Sequence, residues 1–116
     1  MELRHEFKDD TLVVHCDAER LDALVAIRFK DGFRAIADEN VARVLLDLST
    51  VNFMDSSGLG AVVAVYKLFR KDVVFDLAAP TAPVDRVFRL TRMDSVFRIF
   101  ASLEAGLRAD RPRAAS

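Results

Sequence analysis

Polar and apolar residues alternate with period two at the start of the chain. Leu3, His5 and Phe7 fall on one side, and Glu2, Arg4, Glu6 and Lys8 on the other. One charged face over residues 2–8 predicts a half-exposed strand at a sheet edge. Asp9-Asp10 marks a turn. From Thr11 to Asp17 the alternation resumes, with Leu12, Val14 and Cys16 on one face, so the two runs predict a hairpin. The period then lengthens. Leu21, Val25, Phe29, Phe33 and Ile36 recur at spacings of four and three, the buried stripe of a helix running from Leu21-Asp22 to about Glu39. Asp22 is suited to cap it, because a carboxylate there accepts amide hydrogens left without helical partners. Gly32 weakens this helix by about 1 kcal/mol relative to alanine, and Asn40 is suited to end it.

Val44-Leu45-Leu46-Asp47-Leu48 is almost wholly apolar, the pattern of a central strand covered on both faces. A second helix is predicted from about Ser57 to Arg70, with Leu59, Val62, Val63, Tyr66 and Phe69 as its buried face. So apolar a helix is either deeply packed or keeps part of its surface for a partner. Val73–Leu77 reads as a fourth strand. Thr81 and Pro83 open a third, amphipathic helix carrying Val84, Val87, Phe88 and Thr91. Val96–Phe100 reads as a last short strand, and Ser102 caps a small helix from Leu103 to Leu107. The order β-β-α-β-α-β-α-β-α predicts an α/β fold. Right-handed crossovers lay a mixed, mostly parallel sheet of about five strands against the helices. One domain is expected over residues 2–107, with 108–116 a tail that has nothing to bury.

Composition narrows the class. A chain of 116 residues with 52% apolar and 30% charged positions suits one core. Lys plus Arg number 17 against 18 Asp plus Glu, a net charge of −1, which argues against a non-specific nucleic-acid binder. The single cysteine, Cys16, allows no internal disulfide and reads as a small buried hydrophobe. The first residues lack the apolar core of a signal peptide, and no apolar run approaches the ~20 residues that span a bilayer. A soluble cytoplasmic protein without membrane insertion is the expectation.

The catalytic templates fail one by one. A nucleophile elbow needs Gly-x-Ser-x-Gly, but Met54 stands two before Ser56 and Asp55 two before Ser57. No Gly-Lys-Ser/Thr triplet exists for a phosphate loop. His5, His15 and Cys16 match no zinc spacing. A phospho-aspartate receiver wants a lysine near its last strand, and no lysine follows Lys71. No catalytic residue, cofactor or metal is expected, and the chain does not read as an enzyme.

Polar chemistry concentrates instead at Asp55-Ser56-Ser57-Gly58, on the second helix's start. Asp55 or Ser56 is suited to cap that helix. Two hydroxyls stand where one cap suffices, and Gly58 and Gly60 lie in the first turn, each costing about 1 kcal/mol relative to alanine. Glycine there leaves amides exposed and lets another surface approach. A serine at an exposed helix start suits a phosphate of roughly −2 charge, which the amides and macrodipole accept. Asp55 beside it would make a dense negative patch, able to repel a partner seated over Gly58 and Leu59.

Phe53-Met54-Asp55-Ser56-Ser57-Gly58-Leu59-Gly60 resembles the signature of STAS domains of the anti-sigma factor antagonist family. Arg20-Leu21-Asp22-Ala23 resembles that family's first-helix start, and the likeness covers residues 2–107. It implies a partner switch. The unphosphorylated antagonist binds an anti-sigma factor that is also a serine kinase, and a PP2C-type phosphatase reverses the kinase. Carried over by position, Ser56 is the acceptor and Asp55 the preceding aspartate. Ser57 matches the second Ser/Thr, and Asp22 the aspartate near the switch surface. Asp22, Met54, Asp55, Ser57, Gly58, Leu59 and Gly60 are then the partner-binding residues. The sequence departs from the pattern at Glu19, where glycine is usual, and in the short link Arg70-Lys71-Asp72. A monomer or weak homodimer that binds no nucleic acid is expected. The alternative is a constitutive STAS accessory subunit docking, unphosphorylated, on the ATPase of a lipid-transport ABC system. A nucleotide- or lipid-binding module is a third reading, for which no phosphate loop is present.

Overall fold

The fold, taken from a computed structural model, is described for residues 3–37 and 40–109. In chain order the elements are β1 (Arg4–Lys8), β2 (Thr11–His15), β3 (Arg20–Leu21), α1 (Ala23–Ile36), β4 (Arg43–Asp47) and β5 (Phe53–Met54). They continue with α2 (Ser56–Tyr66), β6 (Val74–Ala78), α3 (Ala82–Leu90), a 3-10 turn (Met93–Ser95), β7 (Ile99–Phe100) and α4 (Leu103–Arg108). Five strands form one sheet in the order β1-β2-β4-β6-β7. β1 and β2 pair antiparallel as the expected hairpin, and β2-β4, β4-β6 and β6-β7 pair parallel. The mixed, mostly parallel α/β sheet and the central place of β4 follow the expectation from the apolar run at 44–48.

The first sheet face carries Leu12, Val14, Val44, Leu46, Phe75 and Leu77, which share one core with Phe29 and Phe33 of α1, Val62 and Val65 of α2, and Val84 and Phe88 of α3. Aromatic rings run through it. Phe33 lies 5.9 Å from Phe75, Tyr66 stands edge-on to Phe75 at 5.9 Å and to Phe97 at 5.3 Å, and Phe88 meets Phe97 at 6.1 Å. The Tyr66 pairs and the Phe88–Phe97 pair are edge-to-face, a geometry that adds to the burial of large apolar area.

The second face is ionic. Asp76 is enclosed between Arg43 (Nε to Oδ2, 2.8 Å) and Arg98 (Nη2 to Oδ2, 2.6 Å). Both guanidinium groups lie over Phe100, at 5.7 and 5.1 Å from its ring centre. Farther along, His15 Nδ1 lies 2.7 Å from Asp47 Oδ2, and Glu6 approaches the other ring nitrogen at 3.6 Å. α4 packs on this face, and Gly106 sits so close to Leu45 that an added Cβ would stand 3.0 Å from both of its methyls.

Several expectations change. Val13 is buried along with its neighbours, because it lies in register with Leu45 on the face that α4 covers. α1 ends at Ile36, short of Glu39, which lies outside the described residues. α2 begins at Ser56 and stops at Tyr66. It buries Gly58, Ala61, Val62 and Val65 fully, while Leu59, Val63 and Phe69 of the expected stripe pack only partly buried against the core and Tyr66 is exposed, since the small residues allow the closest approach to the neighbouring chain. Thr81 precedes α3 but makes no capping bond. Its hydroxyl donates to the Val51 carbonyl at 2.6 Å, in the loop leading to β5. The last strand shortens to Ile99–Phe100 because the chain first turns through the 3-10 segment. α4 includes Arg108, whose expected place in the tail is thereby moved, and the rest of the tail from 110 lies outside the described residues. No helix among the described residues is long and apolar enough to cross a membrane.

The Thr81 bond is measurable. Thr81→Val keeps the shape but leaves the Val51 carbonyl without its donor, and is expected to lower unfolding stability by about 1 kcal/mol in urea titration. An unchanged midpoint would show that the bond contributes nothing net.

Candidate functional site

Two short extended segments bring the first two long helices to one surface. β3 and β5 pair parallel as a separate two-stranded ribbon, with Arg20 beside Phe53 and Leu21 beside Met54. The Asn52 amide donates to the Glu19 carbonyl at 2.7 Å, and the Asp55 amide to the Leu21 carbonyl at 3.4 Å. Each strand runs directly into a helix. Asp22 caps α1, accepting from the amides of Leu24 (3.1 Å) and Val25 (3.3 Å). Asp55 caps α2, accepting from the Gly58 amide at 2.9 Å. The choice between Asp55 and Ser56 as cap is thus resolved for Asp55, and Ser56 becomes the first helical residue.

This arrangement sorts the expected site residues. Ser56 and Ser57 are exposed at the first two positions of α2. Gly60 is exposed too, and a Cβ built there meets nothing within 4 Å. Leu59 and Asp55 are half-buried. Met54 and Gly58 are buried, which corrects their expected place on an open landing surface. A Cβ on Gly58 would lie 1.9 Å from the Leu21 carbonyl oxygen. Glycine at 58 is therefore required by a close approach of α2 to the chain entering α1, and Met54 closes the same contact from the ribbon side. Their contribution to the surface is indirect.

Asp22 is linked to a cation that sequence reasoning passed over. Arg20 Nε donates to Asp22 Oδ2 at 3.2 Å, and its guanidinium lies 4.1 Å above the half-exposed Phe53 ring. Desolvation pushes the Asp22 carboxyl up, but the Arg20 bond and the Val25 and Leu24 amides outweigh it and hold the group below its ordinary value. The signal was present in the letters: Arg20 and Asp22, like Phe53 and Asp55, alternate on one side of a strand.

The other reactive side chains stand apart. Cys16 is buried in the first-face core, and burial pushes its thiol up, away from thiolate chemistry. His15 is engaged by Asp47 on the second face. Among the described residues no three His, Cys, Asp or Glu side chains are grouped to hold a metal ion.

Comparison with known proteins bears on the fold and the family. The sequence profile of the STAS domain matches residues 2–106. The chain is 26% identical over 87 residues to the anti-sigma-F factor antagonist RsfB of Mycobacterium tuberculosis, covering 75% of this chain and 71% of RsfB. The crystal structure of an anti-sigma factor antagonist from Mycobacterium paratuberculosis superposes with a TM-score of 0.81 at 26% identity, over 90% of this chain and 89% of that one. The Bacillus cell fate determinant SpoIIAA in its phosphorylated form superposes with a TM-score of 0.62 at 19% identity, over 90% and 96%, a likeness of fold alone.

Proposed function

The chain belongs to the STAS domain family, and from that premise we propose that it is an anti-sigma factor antagonist working as a phosphorylation-controlled partner switch. Relatives that carry that description support the role. The observation that carries it here is Ser56, exposed at the first position of a helix whose turn is already capped by Asp55. The hydroxyl is not needed for capping and is free to be modified. The unphosphorylated protein binds an anti-sigma factor that is also a serine kinase. Ser57, Gly60 and the exposed part of Leu59 make the direct contacts, while Asp22, Met54, Asp55 and Gly58 fix their position.

The kinase transfers the γ-phosphoryl group of ATP to Ser56 Oγ. The new O–P bond forms as the bond to ADP breaks, and the hydroxyl proton leaves to water. The product bears roughly −2 additional charge beside Asp55. That charge is tolerated by the α2 amides but opposes a partner seated on the same turn. A PP2C-type phosphatase hydrolyses the ester and restores the binding form. The domain acts as substrate and ligand rather than as catalyst.

Incubation with the cognate kinase and ATP is expected to add one phosphate, mapped to Ser56 by mass spectrometry, and Ser56→Ala should abolish it. Ser56→Asp should weaken capture of the anti-sigma factor, only in part, because one carboxylate carries half the charge. Labelling that survives in Ser56→Ala would overturn the assignment. Capture of a transporter ATPase by all three proteins alike, with Ser56 unmodified, would replace it with the accessory-subunit reading.

A further inference from the structure

We propose that Arg20 is the built-in counter-ion for a phosphate on Ser56, held ready by Phe53 and Asp22. This inference rests on the reading of Ser56 as the acceptor and adds what receives the charge. Arg20 sits on the β3/β5 ribbon in register with Phe53, and the next pair brings Leu21 beside Met54. The bond from the Asp55 amide to the Leu21 carbonyl continues that register and places Asp22 alongside Asp55. Ser56 follows immediately. Neighbouring strands stand about 4.8 Å apart, so an arginine side chain directed along its own strand toward Asp22 ends beside the turn that carries Ser56.

The state of the guanidinium fits the role. Nε is engaged by Asp22, the plane lies over Phe53, and Nη1 and Nη2 make no hydrogen bond among the described residues. The side chain is 60% exposed, so these donors face water. Stacking and the Asp22 bond remove much of the rotamer freedom that an exposed arginine would otherwise lose on binding. A planar fork with two free donors is the geometry that suits phosphate oxygens. The charged groups on the two turns that lead into α1 and α2 are Asp22, Asp55 and Arg20, and α3, which packs against β5, adds Asp85, Arg86 and Arg89. Of these cations Arg20 is the one on the ribbon itself, in register with Phe53.

Arg20 can hold Asp22 and phosphate together, because Nε and the Nη pair point to different sides of the guanidinium. Phosphorylation would then draw the start of α1 and the start of α2 into one ion-pair network. The switch would alter the shape of the surface as well as its charge.

The test uses the full chain with phosphoserine installed at position 56 during translation, which requires no cognate kinase. The phosphate is titrated by ³¹P NMR in the otherwise wild-type protein, in Arg20→Gln, in Arg20→Lys and in Arg28→Gln. Loss of Arg20 is expected to raise the phosphate's second pKa by roughly 0.3–0.7 pH units, the range of an exposed ion pair. Arg20→Lys should recover part of the shift, and Arg28→Gln, outside the ribbon, should leave it unchanged. Unchanged thermal unfolding of Arg20→Gln before phosphoserine is installed checks that the ribbon remains folded. Equal titration curves for the otherwise wild-type protein and Arg20→Gln would overturn the proposal. A kinase that fails to modify Ser56 would instead overturn the proposed function and leave this titration standing.

Discussion

Asp76→Ala is expected to remove about 3–5 kcal/mol of stability, enough to leave a domain of ordinary stability partly unfolded at room temperature. Asp76 is 1% exposed and is the carboxylate that serves both Arg43 and Arg98. Arg43 is itself only 2% exposed, and its Nη2 has no partner among the described residues. Removing the aspartate would therefore bury a full positive charge with no neutralising group, a far larger penalty than the pair's net contribution. Arg98 is partly exposed and can turn to water. Arg98→Gln should cost less, about 1–3 kcal/mol, because Arg43 still neutralises Asp76 while the carboxylate loses the two bonds that Arg98 makes to it. Urea unfolding of both variants gives the comparison. Similar losses for the two would show that the stabilisation comes from the network as a whole rather than from the charge balance at Arg43.

Gly58→Ala is the second large effect, at about 3 kcal/mol. The added methyl would meet the Leu21 carbonyl oxygen at 1.9 Å, and backbone, not a flexible side-chain end, must move. Either α2 shifts away from the ribbon or the Asp55 cap is lost. The control lies two residues on. Gly60→Ala places its methyl in open space on the same helix, so it should raise stability by about 0.5–1 kcal/mol through helix propensity and a less flexible unfolded chain. If the exposed glycine serves a closely approaching partner, the stabilised Gly60→Ala protein should bind that partner more weakly. A stability change of the same sign at both glycines would refute the packing account.

These two glycines mark how far the sequence could be read. Both stood out as costly residues in a helix's first turn, and pattern alone offered them one explanation. Their difference is tertiary: Gly58 faces Leu21, a residue far earlier in the chain, and no local spacing encodes that contact. The β3/β5 ribbon escaped for a related reason. Two residues per strand are too few to show a period, so Arg20–Leu21 merged into the start of α1 and Phe53–Met54 into a turn. The longer strands were legible because β4 is continuously apolar and because β1 alternates, although β1 is not half-buried as its alternation predicts: all five of its residues, Phe7 included, are exposed. The end of α2 was overread because Leu68 and Phe69 continue the apolar run beyond the last helical turn. Thr81 sat at the expected N-cap position, yet its hydroxyl spans to the Val51 carbonyl, a partner 30 residues away. Asp22 and Asp55 were recognisable because capping chemistry is local and its residue types are few, whereas the choice between Asp55 and Ser56 needed the structure.

The ring cluster of the first-face core has an optical consequence. The chain contains no tryptophan and one tyrosine. That tyrosine, Tyr66, is the last residue of α2 and stands edge-on to Phe75 of β6 and to Phe97 beyond α3. Tyrosine emission excited at the red edge of its absorption therefore comes from one ring, at the junction of the helix that carries Ser56 with the sheet and the third helix. The unlabelled protein holds its own single-site fluorophore, at the opposite end of an 11-residue helix from that serine and about three helical turns away.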